Sequence, residues 1–137
     1  MARLCRKNAT AACTAAQRDT LSPHNLAKYK LLLSLEGNDI ASGLKWMLYS
    51  NSVVLMPPPT GASWAMEDLL LPFVHYIPLK PDLSDLLDKV HWALAHPEES
   101  QTIACHSTDF MQQLFTSAKA KEDTHTIMSA MGRAYQQ

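Results

Sequence analysis

Glycine, cysteine, long apolar runs and an excess of either charge are all scarce in this 137-residue chain. Each scarcity removes a class of protein. Only 4 glycines are present. None falls in a GxGxxG or GxxxxGK[ST] pattern, so a Rossmann cofactor fingerprint and a P-loop are excluded. Cysteine is limited to Cys5, Cys13 and Cys105, an odd and sparse set that makes no disulfide framework and fits a reducing compartment. No apolar run approaches the ~20 residues that span a bilayer. The first twenty residues also lack the ~7–15-residue apolar stretch of a secretory signal. Lys plus Arg is 12 against 13 Asp plus Glu, a net charge of −1. Beyond a short basic start at Arg3, Arg6 and Lys7, nothing concentrates positive charge, so no nucleic-acid partner is expected. Six histidines are present, but His91 and His96 are five apart and Cys105–His106 are adjacent. Neither spacing sets two ligands on one helical face, so no metal is assigned.

What remains is an ordinary globular composition of one domain's length, 47% apolar and 18% charged. Residues 1–27 have no period and read as a disordered or ragged N-terminal arm that ends in a turn at Ser22-Pro23. From Lys28 to the end, strand and helix signals alternate, which predicts α/β with a parallel sheet. Strands are expected over Tyr29 to Leu35, Ser52 to Met56 and Val74 to Leu79, the last short or at an edge because of Pro78. A helix stripe follows the first turn at Ile40, Leu44, Met47 and Leu48. Ser63 or Trp64 should open a short helix through Leu70. Asp82 should cap a helix with an inward stripe of Leu83, Leu86, Leu87, Val90 and Leu94. Pro97 fits a first helical position, and a last helix over 122–135 carries Ile127, Met128, Met131 and Tyr135.

Chemistry concentrates between Leu35 and Ser42. An apolar strand runs into Gly37 and then into a predicted helix that Asn38 or Asp39 can cap. A helix opening has free N–H groups and the positive end of a dipole, and binds phosphate without a metal. Ligands of open α/β sheets sit beyond the carboxyl ends of strands. The amides of Asp39, Ile40, Ala41 and Ser42 and the Ser42 hydroxyl are the candidates, with Lys45 one turn on. The bland alternative is that every strand–turn–helix unit has such an end and most bind nothing. Gly43 lies near the apolar face, where a glycine costs about 1 kcal/mol and implies close packing. His75 reads best as a sheet-end cap with one nitrogen bonded to backbone, and Trp46 as packing against the second layer. Gly61-Ala62-Ser63-Trp64-Ala65 lacks the final glycine of a hydrolase elbow and follows prolines where a strand is needed.

One family resemblance gathers these pieces. The run from Tyr29 to Trp46, YKLLLSLEGNDIASGLKW, resembles the "KYLLNLDGND-A-LKW" segment of glycosyltransferase family 90. Ser50 to Leu55 is similar to its "SNSVVL" strand. Trp64, Glu67 to Leu70, Pro72 and His75 to Leu79 resemble its "W-EDLL-P-HYIPV" segment, and Asp82 to Leu86 its "DLSDL" helix start. The likeness runs from Tyr29 to Phe115 in one order.

The resemblance implies a Rossmann-like sheet forming the C-terminal half of a GT-B fold, over residues 28–137, followed by C-terminal helices. It implies transfer of a hexose or pentose from a nucleotide diphosphate sugar, often a UDP-sugar, to a glycan or protein hydroxyl, with no cofactor. Donor binding falls on Asn38, Asp39, Ile40, Ala41, Ser42, Gly43 and Lys45, with Glu67 in place of the acid that holds the donor ribose in GT-B enzymes. The alternative for Glu67 is a solvated helix carboxylate beside Asp68. Some eukaryotic members carry an arginine near the position of Gly43, so Lys45 or a group outside this chain must supply that charge. The general base belongs to an N-terminal half that this chain does not contain, and no residue here takes that role. The chain is therefore expected to be incomplete as an enzyme. A rival expectation is a non-catalytic module that self-associates through the exposed half-domain face. A bacterial-like member would work in the cytoplasm, a eukaryotic one in the endomembrane lumen.

Overall fold

The computed structural model describes residues 22–135 apart from Trp64. Most of the expected arm, and Trp64 as a helix start, lie outside the described residues. The expected turn at Ser22-Pro23 opens a one-turn helix, α1 (Pro23–Leu26), in which the Ser22 side chain accepts from the Asn25 N–H and proline takes the first turn.

Three short parallel strands follow in spatial order β1-β2-β3: β1 (Leu31–Leu33), β2 (Val53–Met56) and β3 (Ile77–Pro78). All three expected strands exist, each shorter than its expected span. Pro78 has no N–H to donate and sits on the edge strand, as its chemistry requires.

The central strand explains the two-sided core. Val54 and Met56 point into one cluster with Leu44, Leu48, Leu70, Tyr76 and Met111. Val53 and Leu55 point into the other with Ile77, Leu79, Ala93, Ile103 and Ala104. Alternate side chains leave opposite faces of a strand, so a strand buried on both sides reads as an unbroken apolar run. Each such side chain contributes roughly 1.5–3 kcal/mol by leaving water. The first face is covered by α2 (Leu44–Leu48) and the second by α3 (Leu86–Ala95). The long helix α4 (Pro97–Thr116) serves both, through Met111 and through Ile103 and Ala104. Buried Ser107 donates to the Leu48 carbonyl at 3.1 Å, tying α4 to the end of α2.

Several helical expectations shift. The predicted helix from Ser63 is a 3-10 turn, Glu67–Leu69, because Met66 in the left-handed region (φ 51°) interrupts any continuous helix. Asp82 caps the turn at Ser84 rather than a helix, and α3 opens only at Leu86. Leu83 occupies a left-handed turn (φ 59°), yet Leu83, Leu86 and Val90 of the expected stripe pack against the second core cluster. Leu87 and Leu94 alone of that stripe face out, 70% and 60% exposed, and Ala93 is the helix's fully buried residue. The last helix, α5 (Ala118–Tyr135), has no buried residue, and its Ile127, Met128, Met131 and Tyr135 face solvent. Both sheet faces are already filled by α2, α3 and α4, which leaves that stripe without a core to enter.

Candidate functional site

Beyond the carboxyl end of β1 the chain turns irregular. The Ser34 N–H continues the ladder to the Leu55 carbonyl at 3.0 Å, and pairing then stops. The Gly37 N–H donates to the Asp39 carbonyl, and the Asp39 carboxylate accepts from the neighbouring Ile40 N–H at 2.7 Å. An Asp bonding its own local backbone favours a turn over a helix. The Leu44 N–H donates to the Ala41 carbonyl, and only there does α2 begin, with Gly43 as its cap. The expected helix opening at residue 40 is thus displaced four residues, and residues 36–43 are a loop. Gly43 has helical φ (−77°), and a Cβ on it would stand 3.2 Å from Trp46 Nε1 and 3.4 Å from Met47 Cε. Close packing is what a glycine supplies there.

An open cavity of about 500 Å³ lies against this loop. Leu33, Ser34 and Leu35 line it from the strand end. Gly37, Asp39, Ile40, Ala41, Ser42 and Gly43 line it from the loop, and Met47 from α2. Five of the eight expected donor residues therefore meet at one concavity. Asn38, Lys45 and Glu67 are not among its lining. Ile40's amide is taken by Asp39. Among the described residues none accepts from the Ala41 or Ser42 N–H or from the Ser42 hydroxyl.

Lys45 and Glu67 meet each other instead, Nζ to Oε1 at 3.0 Å. Glu67 is no solvated carboxylate: it is 1% exposed and accepts from the Ser63 N–H at 2.7 Å and the Ser63 hydroxyl at 2.8 Å. Burial alone pushes its carboxyl up, but the Ser63 amide and hydroxyl, with Lys45, outweigh it and hold the pKa at about 2. A second bracket, which the sequence reading missed, joins the exits of β1 and β2. The Thr60 hydroxyl donates to Glu36 at 2.6 Å, and the Thr60 N–H donates to its other oxygen at 3.3 Å. Neither Glu36 nor Ser63 carries a periodic signal; only the acid four residues after Ser63 hints at the contact.

His75 does what its bland reading expects. Its Nδ1 accepts from the Leu71 N–H at 3.0 Å, and its ring lies 5.0 Å from that of Phe110. Burial, then the charge of His106, depress its pKa below 6.5. His96 stacks on Trp92 at 4.8 Å rather than joining His91.

Open α/β sheets place their ligands beyond the carboxyl ends of the strands, where this cavity lies. The profile of glycosyl transferase family 90 matches residues 1–132, and the chain belongs to that family. The match extends well past the Tyr29–Phe115 likeness read from the sequence. O-glucosyltransferase LpsA of Dichelobacter nodosus is 37% identical over 128 residues, 93% of this chain and 39% of that protein. Protein O-glucosyltransferase 2 of Danio rerio is 39% identical over 83 residues, 61% of this chain and 16% of that protein. Protein O-glucosyltransferase 3 of Homo sapiens is 37% identical over 78 residues, 56% of this chain and 15% of that protein. The chain thus spans no more than 39% of the length of these relatives.

Proposed function

We propose that this chain is the donor-binding part of a family 90 glycosyltransferase of GT-B architecture. It holds a nucleotide diphosphate sugar, a UDP-sugar in our reading, while the sugar passes to a glycan or protein hydroxyl. The bond from the anomeric carbon to the diphosphate breaks as the bond to the acceptor oxygen forms. The acceptor's proton goes to a general base outside this chain. Negative charge grows on the departing diphosphate, and preorganised N–H donors aimed at it lower the barrier.

The single observation that carries this reading is the cavity at the end of β1, where the Ala41 and Ser42 amides and the Ser42 hydroxyl have no acceptor among the described residues. Asn38, Asp39, Ile40, Gly43 and Lys45 complete the proposed donor set, and Glu67 belongs to it through Lys45. The proposal replaces a helix dipole with loop amides, because α2 has only five residues. Calorimetric titration with UDP and UDP-glucose tests it. Saturable binding of both is expected; no binding by a chain shown to be folded by circular dichroism contradicts it.

The exposed stripe of Ile127, Met128, Met131 and Tyr135 on α5 favours a second reading, an interaction module that self-associates. A chain that stays monomeric in light scattering across a wide concentration range counts against that alternative.

A further inference from the structure

We infer that Glu67 is a positioning residue, whose buried carboxylate ties the helix start that follows the cavity-lining loop to the loop that leaves β2. The inference rests on the donor-site reading above and assigns Glu67 a role within it.

The bonds run in two directions. Lys45, held at 3.0 Å, stands in the first turn of α2, directly after the cavity-lining stretch that ends at Gly43. Ser63, which gives Glu67 both its N–H and its hydroxyl, closes the loop that leaves β2 at Pro57. Within that loop Gly61 lies near Ile40, which lines the cavity, and a side chain placed on Gly61 would meet Ile40 Cγ1 and Cδ1 at 3.8 Å. One carboxylate therefore ties the Ala41–Ser42–Gly43 side, through Lys45, to the loop that leaves β2, through Ser63. The Glu36–Thr60 bracket ties the same loop to the residue before Gly37, which lines the cavity.

Contact with a ligand is excluded for Glu67 in this arrangement. Both of its oxygens already accept hydrogen bonds, and 1% of the residue is exposed. A ribose hydroxyl could reach it only by displacing Ser63 or Lys45. It acts through them, and a carboxylate so paired is costly to disturb.

The test uses the full chain with Glu67→Gln, Lys45→Gln and the double variant, and UDP and inorganic pyrophosphate as probes. Glutamine keeps the shape of Glu67 but turns one acceptor into a donor. Each single variant is expected to weaken UDP binding about tenfold, with the double variant no weaker than Glu67→Gln alone, since both break one coupled unit. Additive losses, or Glu67→Gln binding UDP as well as the parent, overturn the inference. Amide spectra give a readout independent of ligand. In Glu67→Gln the shifts should reach residues 40–43 and Gly61; changes confined to residues 63–69 overturn it. If the parent chain binds neither probe, the donor reading fails and the amide shifts decide the positioning role by themselves. Should Glu67→Gln not fold, Ser63→Ala removes only the hydroxyl bonds, and it must still move the amides of residues 40–43.

Discussion

Lys45 Nζ lies 3.0 Å from Glu67 Oε1, and this contact joins the helix after the first strand to the loop after the second. Lys45 keeps a 19% exposed side chain while Glu67 is sealed, so the two partners are not equivalent. Removing the carboxylate leaves the Ser63 N–H and the Ser63 hydroxyl without their buried acceptor and takes one partner from Lys45. Removing the amine leaves Glu67 with its serine bonds intact. Glu67→Ala should therefore cost about 3 kcal/mol and Lys45→Met about 1–2 kcal/mol in urea unfolding. The reverse order contradicts this account of the pair.

Acid should weaken the fold through the same group. Glu67 has its carboxyl at about 2 in the folded protein against 4.5 ordinarily. The folded state binds that proton less readily than the unfolded chain does. The stabilisation is complete above about 4.5 and drains away as pH falls toward about 2. It amounts to something on the order of 3 kcal/mol. Unfolding free energy measured from pH 6 to pH 2.5 should fall more steeply in the parent than in Glu67→Gln. Parallel curves would show that another carboxylate is responsible.

His75 should titrate below 6.5, because burial and then His106 disfavour its cation. Its neutral Nδ1 also accepts the Leu71 N–H, a bond that protonation breaks. The folded pKa is the lower one, so this contribution is present above 6.5 and lost as pH falls below it. Ring-proton NMR reads the midpoint directly. His106→Gln should raise it only part of the way, since burial is the larger cause.

Ser107→Ala should destabilise by about 1 kcal/mol, because the hydroxyl is buried and shared between the Leu48 and Ala104 carbonyls. Thr108 also donates to Leu48, which limits the damage. A loss well above that figure in urea unfolding would mean that α4 itself had shifted.

The strands were legible because their apolar runs are short, bounded by turn residues and buried on both faces: Val53, Val54, Leu55 and Met56 are each 4% exposed or less. The helix starts were not. Asp39 looks like a cap, yet it bonds the next residue's amide and delays the helix to Leu44. Nothing in a period of 3.6 distinguishes those outcomes. Met66 and Leu83 adopt left-handed backbone at non-glycine positions, which propensity alone argues against; Met66 interrupts the helix expected from Ser63, and Leu83 delays to Leu86 the one expected after Asp82. Ile127, Met128 and Met131 form a sound apolar stripe on a helix that meets no core, since periodicity shows a face but not what covers it. At the site, the residues around the cavity were legible from the strand-turn order. The Lys45–Glu67 and Glu36–Thr60 pairings were not, because contacts 22 to 24 residues apart leave no local mark.

The central claim is that the Ala41 and Ser42 amides face a bound diphosphate. Titration of isotopically labelled chain with UDP, followed by amide NMR, tests it most directly. The account predicts saturable shifts centred on residues 39–43, retained with pyrophosphate and absent with uridine. Saturation by UDP with those amides unmoved, or shifts centred on α5, would contradict it.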